Sequence, residues 1–172
     1  MAFDKEQKLN LILNTALKLF AHYGYKKTLL EDVSNELGMT KSSLYFYASS
    51  KRDLYEKTIS MAFRQWQEAV ADAVDQAVDV VEKFSVMAHT SIEYLMIHDE
   101  LRSIFIKDPS IFTLFPTEDR FYEINRGAIQ LIEDILTEGI KQGKFHEMDV
   151  QHTAELFFSI YIMFLIKTYV KS

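Results

Sequence analysis

Apolar residues recur at spacings of three and four through most of this chain. Leu9, Ile12, Leu13, Ala16, Leu19, Phe20 and Tyr23 share one helical face. Asp4-x-x-Gln7 predicts a capping box at its start and Gly24 a stop at its end. Thr28-x-x-Glu31 opens a second, short helix with Leu30, Val33 and Leu37 inward, and Gly38 stops it. Thr40 caps a third, Lys41 to Tyr47, anchored by Leu44. Ser50-x-x-Asp53 opens a long fourth helix, Lys51 to Ala77, striped by Leu54, Thr58, Met61, Ala62, Trp66, Ala69 and Ala73. A fifth is predicted from Val80 to His98, with Phe84, Met87, Ala88, Ile92 and Leu95 inward. Pro109 and Pro116 break the pattern into a short helix or two plus loop. Two more helices follow, Glu118 to Lys141 and Asp149 to Tyr169. No segment keeps a period-two alternation bounded by turn residues, so the fold class is all-α.

Leu30–Leu37, Gly38-Met39-Thr40 and Lys41–Tyr47 form two short helices around a glycine turn. That is the helix-turn-helix pattern, whose second helix enters the major groove of DNA. Thr40, Lys41, Ser42 and Ser43 crowd the start of that helix. Hydroxyls and a cation there meet phosphates and base edges. Tyr45 and Tyr47 add phenolic donors, and Lys51 begins the next helix. Any αα-hairpin shows a helix–Gly–helix, so the pattern alone is a weak sign.

The wider context is more specific. Ile12, Ala16, Leu19-Phe20, Gly24-Tyr25, Thr28, Asp32-Val33, Leu37-Gly38-Met39-Thr40-Lys41, Leu44-Tyr45, Ser50-Lys51 and Leu54 follow a family order and spacing. Over this first third the chain resembles the tetracycline-repressor (TetR) family of transcriptional regulators. The resemblance implies a DNA-binding domain over residues 1–50, with the helix-turn-helix at about 29–48. It implies a ligand-binding and dimerisation domain over 51–172. DNA contacts are implied at Thr28, Thr40, Lys41, Ser42, Ser43, Tyr45, Tyr47 and Lys51. Three positions depart from the family: Leu29 replaces a second Thr, Ser43 a Gly or Thr, and Ala48 a Phe. The packing that Ala48 leaves is expected either to be looser or to be refilled by Phe46.

The body is rich in large apolar side chains, which at helical spacing are first of all core material. The resemblance implies that some line a pocket. Trp66, Phe84, Met87, Tyr94, His98, Arg102, Phe105 and Phe112 are the candidates, with Tyr94, His98 and Arg102 as polar anchors for a small apolar or aromatic effector. The run Leu156–Ile166 is apolar nearly all round and too short to span a bilayer, which takes ~20 residues. Such a helix at a chain's end is readily buried between subunits. With Ala128, Leu131, Ile132, Ile135 and Gly139, the residues Phe157, Ile160 and Phe164 are expected to form a two-fold four-helix interface. The functional reading is a homodimeric, ligand-responsive repressor on a near-palindromic operator. The alternative is an all-helical dimeric adaptor or small-molecule carrier, which would not need the cation and hydroxyl cluster at Thr40–Lys51.

Composition limits the other classes. There is no cysteine, so no disulfide framework, thiolate metal site or thiol nucleophile. His146-Glu147 lacks the second histidine of the zinc-protease motif, and no Gly-x-Ser-x-Gly or phosphate-cradling loop occurs. Neither an enzyme nor a bound metal or cofactor is expected. Residues 1–8 lack the apolar core of a signal peptide, which points to the cytoplasm. The net charge of -6 looks wrong for a DNA binder, but it is an average. Residues 1–57 carry nine Lys+Arg against seven Asp+Glu, or +2; residues 58–172 carry 10 against 18, or -8.

Overall fold

A computed structural model describes residues 2–111 and 120–170, and every regular element among them is helical. The helices are α1 (Ala2–Lys27), α2 (Leu30–Glu36), α3 (Lys41–Tyr45), α4 (Lys51–Gln76), α5 (Val80–Ile97), α6 (Asp99–Lys107), α7 (Tyr122–Lys141) and α8 (Val150–Leu165). A 3₁₀ turn at Pro109–Ile111 follows α6, and a wider π turn at Ile166–Val170 ends α8. Phe112, Phe115, Pro116 and Glu118 lie outside the described residues.

The chain divides into two compact units, residues 1–62 with 99–108, and residues 63–98 with 109–172. The division falls inside α4. In the first unit α1 packs on α2 and α6, and α2 packs on α3. Ile12, Ala16, Phe20, Val33, Leu44, Leu54 and Ile59 are its buried centre. Asp108 accepts a hydrogen bond from Tyr55 at 2.7 Å, and Ala21 O accepts one from Ser103 at 2.9 Å, which seats α6. In the second unit α7 packs on α5 and most extensively on α8. Val70, Val74, Val80 and Ile135 make one buried cluster; Ile132, Leu136 and Ala154 make another.

Local chemistry departs from the sequence expectation at several ends. Helix α1 begins at Ala2, ahead of Asp4, and runs past Gly24 with a break there rather than a stop. Tyr23, expected inward, is 52% exposed, and Ala88 is exposed as well. The cap of α2 is Leu29, not Thr28: the Leu29 N–H donates to Asp32 Oδ2 at 2.7 Å, while the Thr28 hydroxyl turns back to Gly24 O at 2.9 Å. Phe46 does not refill the place of the family Phe. Ala48 is buried, and Phe46 stands 82% exposed.

Gly139 marks the closest approach in the second unit. A Cβ there would lie 2.0 Å from Phe145 Cδ2, and Phe145 packs against both buried clusters. Alanine normally favours a helix over glycine by about 1 kcal/mol. Here it would unseat the ring, and overpacking costs ~1–3 kcal/mol. Gly139→Ala is therefore expected to lower stability in a urea titration. In a Phe145→Ala background the same change is expected to be neutral or stabilising.

Candidate nucleic-acid interface

The turn between α2 and α3 depends on Gly38, whose φ of 61° strains any side chain. Thr40 then caps α3: its Oγ1 accepts from the Ser43 N–H at 3.1 Å and lies 2.8 Å from Ser43 Oγ. Leu44 is 1% exposed and pins α3 from behind. Thr40, Lys41, Ser42, Tyr45 and Phe46 are left on the solvent side, with Ser43 and Tyr47 half-buried.

Three of the cations in this region are tethered. Lys41 Nζ hydrogen-bonds and ion-pairs with Glu31 of α2, both side chains about half exposed. That bond, before any other cause, holds the Glu31 carboxyl below the usual carboxylate range and pushes Lys41 up. Lys51 Nζ donates to Lys26 O at 3.1 Å and sits 4.7 Å over the Tyr25 ring. Lys57 Nζ reaches Tyr47 O at 2.8 Å and Asp53 Oδ2 at 2.9 Å, tying the end of α3 to α4. Partial burial works to raise the Asp53 carboxyl, but hydrogen bonds from Lys57 and Ser49 outweigh it and leave it low.

Of the predicted DNA-contact residues, Thr40, Lys41, Ser42 and Tyr45 are exposed on α3 and its cap, Ser43 and Tyr47 are half-buried there, and Lys51 is held against α1. Thr28 is 1% exposed and its hydroxyl is spent on the backbone. Sequence reasoning passed over Phe46 and Glu31. The family substitution at Ala48 drew attention to Phe46, but as packing.

The candidate pocket residues are divided between the two units. Trp66 stacks on Tyr94 with ring centroids 6.3 Å apart, and Tyr94 stacks on His98 at 3.8 Å. Trp66 also donates from its indole N–H to Ser91 O at 3.1 Å. Ser91 in turn hydrogen-bonds the Tyr161 hydroxyl, and burial pushes the Tyr161 phenol well up. Nothing in the sequence signalled the Ser91–Tyr161 pair. Phe84 and Met87 pack on the Val70 and Ile132 clusters, and Trp66 packs on the Val70 cluster with them. Arg102, paired with Asp99, and the fully buried Phe105 belong to the first unit. Phe112 lies outside the described residues.

The candidate dimer residues divide as well. Ile132, Ile135 and Gly139 are buried within the chain, and Ala128 and Leu131 are half-buried. On α8, Leu156 (58%), Phe157 (43%), Ile160 (51%), Met163 (56%) and Phe164 (47%) are exposed at helical spacing. Among the described residues no group of three His, Asp or Glu is placed to hold a metal, and no helix is long and apolar enough to cross a membrane.

A helix-turn-helix with a hydroxyl- and cation-bearing second helix, set in an all-α chain, defines a DNA-binding regulator. Residues 12–58 match the family model described as bacterial regulatory proteins, tetR family. Over that stretch the chain carries the N-terminal helix-turn-helix region that the model describes. It is 22% identical over 162 residues to the uncharacterized HTH-type transcriptional regulator YhgD of Bacillus subtilis, covering 94% of this chain and 83% of that protein. It is 25% identical over 167 residues to IcaR of Staphylococcus aureus, the negative transcriptional regulator of the biofilm operon icaADBC, covering 94% and 82%. The fold matches that of FadR from Bacillus subtilis, solved in complex with stearoyl-CoA, with a TM-score of 0.77 at 19% identity over 91% of this chain and 84% of that one.

For Lys41 to reach a phosphate, as the sequence predicts, its pair with Glu31 must open. Exposed ion pairs contribute little to stability, so removing it leaves the fold intact. Glu31→Gln is expected to tighten duplex binding a few-fold at low salt, read by fluorescence anisotropy. Unchanged or weaker binding would mean that Glu31 instead orients Lys41 for its contact.

Proposed function

We propose that this chain is a homodimeric, effector-responsive repressor that reads a near-palindromic operator, with α3 of each subunit in a major groove. The observation that carries the reading is the exposed face of α3, held rigidly by Leu44 and the Thr40 cap. Residues 1–50 serve as the DNA-binding domain and 51–172 as the effector and dimerisation domain. Thr40, Ser42, Ser43, Tyr45 and Tyr47 supply donors, and Lys41 and Lys51 supply charge to phosphates. Thr28 acts from behind, by fixing the chain ahead of α2. The likeness to IcaR supports repression, and a chromosomal target places the protein in the cytoplasm. The exposed apolar face of α8, with Ala128 and Leu131 of α7, is the surface for a second copy.

Selection of bound duplexes from a random pool tests symmetry and function together. A two-fold consensus is expected, and an asymmetric one would remove the dimer. Binding to that consensus should fall at least ten-fold in a Lys41→Ala, Tyr45→Ala variant, and undiminished binding would sink the assignment of α3.

The effector we propose is a long-chain fatty acyl molecule seated against the Trp66–Tyr94–His98 stack. The likeness to FadR and the apolar, aromatic body support this class, and an acidic body disfavours a ligand that is mostly anion. A ligand acts only through unequal affinity for the DNA-bound and free arrangements. Trp66 is the single tryptophan and reports on its own site. Stearoyl-CoA is expected to shift Trp66 emission and to weaken operator binding, while CoA alone does neither. If both stearoyl-CoA and stearate leave emission and operator affinity unchanged, the effector class is wrong.

A further inference from the structure

A depression of about 500 Å3, open to solvent, lies in the first unit where α1 meets the helix-turn-helix. Its lining is Lys8, Gly38, Met39, Thr40, Ser43, Phe46 and Tyr47. We propose that this depression is a second seat for the DNA backbone, in which Lys8 holds a phosphate and the Phe46 ring packs on the adjoining deoxyribose. The proposal rests on the DNA-reading function of α3 and extends it to α1, which is otherwise only scaffold.

Three observations converge. First, the lining holds one cation and no carboxylate in a protein with a net charge of -6. Lys8 makes no ion pair among the described side chains, whereas Lys41 is held by Glu31 and Lys57 by Asp53. Lys8 therefore meets a phosphate without first leaving a carboxylate, as does Lys51, which is held by Lys26 O and the Tyr25 ring. Second, Phe46 is 82% exposed at the end of α3. Its ring lines the depression together with Lys8 and is left to solvent. Phenylalanine has no donor, so its partner offers carbon: the C–H face of a sugar fits, a phosphate does not. Third, the depression is continuous with the proposed groove-facing surface, because Thr40, Ser43 and Tyr47 belong to both. A strand leaving the major groove beside α3 would run into it. Phosphate contacts of this kind position a protein on its site without reading sequence.

The test is anisotropy of the selected operator across a series of salt concentrations. Each phosphate neutralised contributes about 0.9 to the log–log salt slope. Lys8→Gln is expected to weaken binding several-fold and to flatten the slope by about one phosphate's worth. Phe46→Ser should weaken binding with the slope unchanged, and Phe46→Tyr should retain most affinity. Single methylphosphonate linkages walked along the operator flank should include one that weakens the wild type and leaves Lys8→Gln indifferent. That linkage separates a direct contact from a general loss of charge, and circular dichroism melts confirm that the variants fold. If the wild type binds its operator while Lys8→Gln keeps the full slope and no linkage distinguishes the two, this seat is wrong and the α3 reading stands. If the wild type binds no duplex at all, both fail. A change of sedimentation without DNA in Phe46→Ser would assign the depression to a second copy of the chain and overturn the proposal.

Discussion

Helix α3 spans five residues, Lys41–Tyr45, and a helix that short has no stability in isolation. It persists because one side chain, Leu44, is buried to within 1% of its surface and draws the whole turn onto its neighbours. The Thr40 cap, the Gly38 turn and the Lys57 bond to Tyr47 O then fix both of its ends. The exposed face of α3 is thus placed largely from behind, by Leu44, Gly38 and Lys57. The long α4 has no such weakness, since it buries Leu54, Ile59, Ala62, Val70 and Val74 along its length. The reading head is the part of the fold with the smallest margin, and it is also the part on which function turns.

Much of the architecture was legible because helical spacing and caps report directly on burial. The starts of α4 at Lys51 and α5 at Val80, and the Leu44 anchor, were readable from the sequence. The misread ends have a common cause. Around α2, Thr28 and Asp32 both carry oxygen atoms suited to capping, and composition does not say which one wins. At the end of α3, a small residue at Ala48 looked like a hole for Phe46, but a neighbouring ring on a five-residue helix points away from that hole.

The site residues separate along the same line. Those of the DNA face lie within one short stretch, so local spacing brings them together. The pocket candidates span residues 66–112, and sequence spacing is silent about which helix joins which unit. Helix α6 belongs with α1, which removes Arg102 and Phe105 from the Trp66 ring stack. The buried Ser91–Tyr161 pair joins positions 70 apart, and each residue alone is unremarkable on its helix.

The Lys41–Glu31 pair has a further consequence, for how the protein spends its time on a chromosome. Non-specific attachment to DNA is almost wholly electrostatic. A head of net +2 whose α3 cation already has a counter-charge grips random sequence weakly. Each wrong encounter is then brief, and fewer copies are sequestered along bulk DNA. On the proposed reading, such a head would leave random sequence quickly and stay only where its base and backbone contacts are made together.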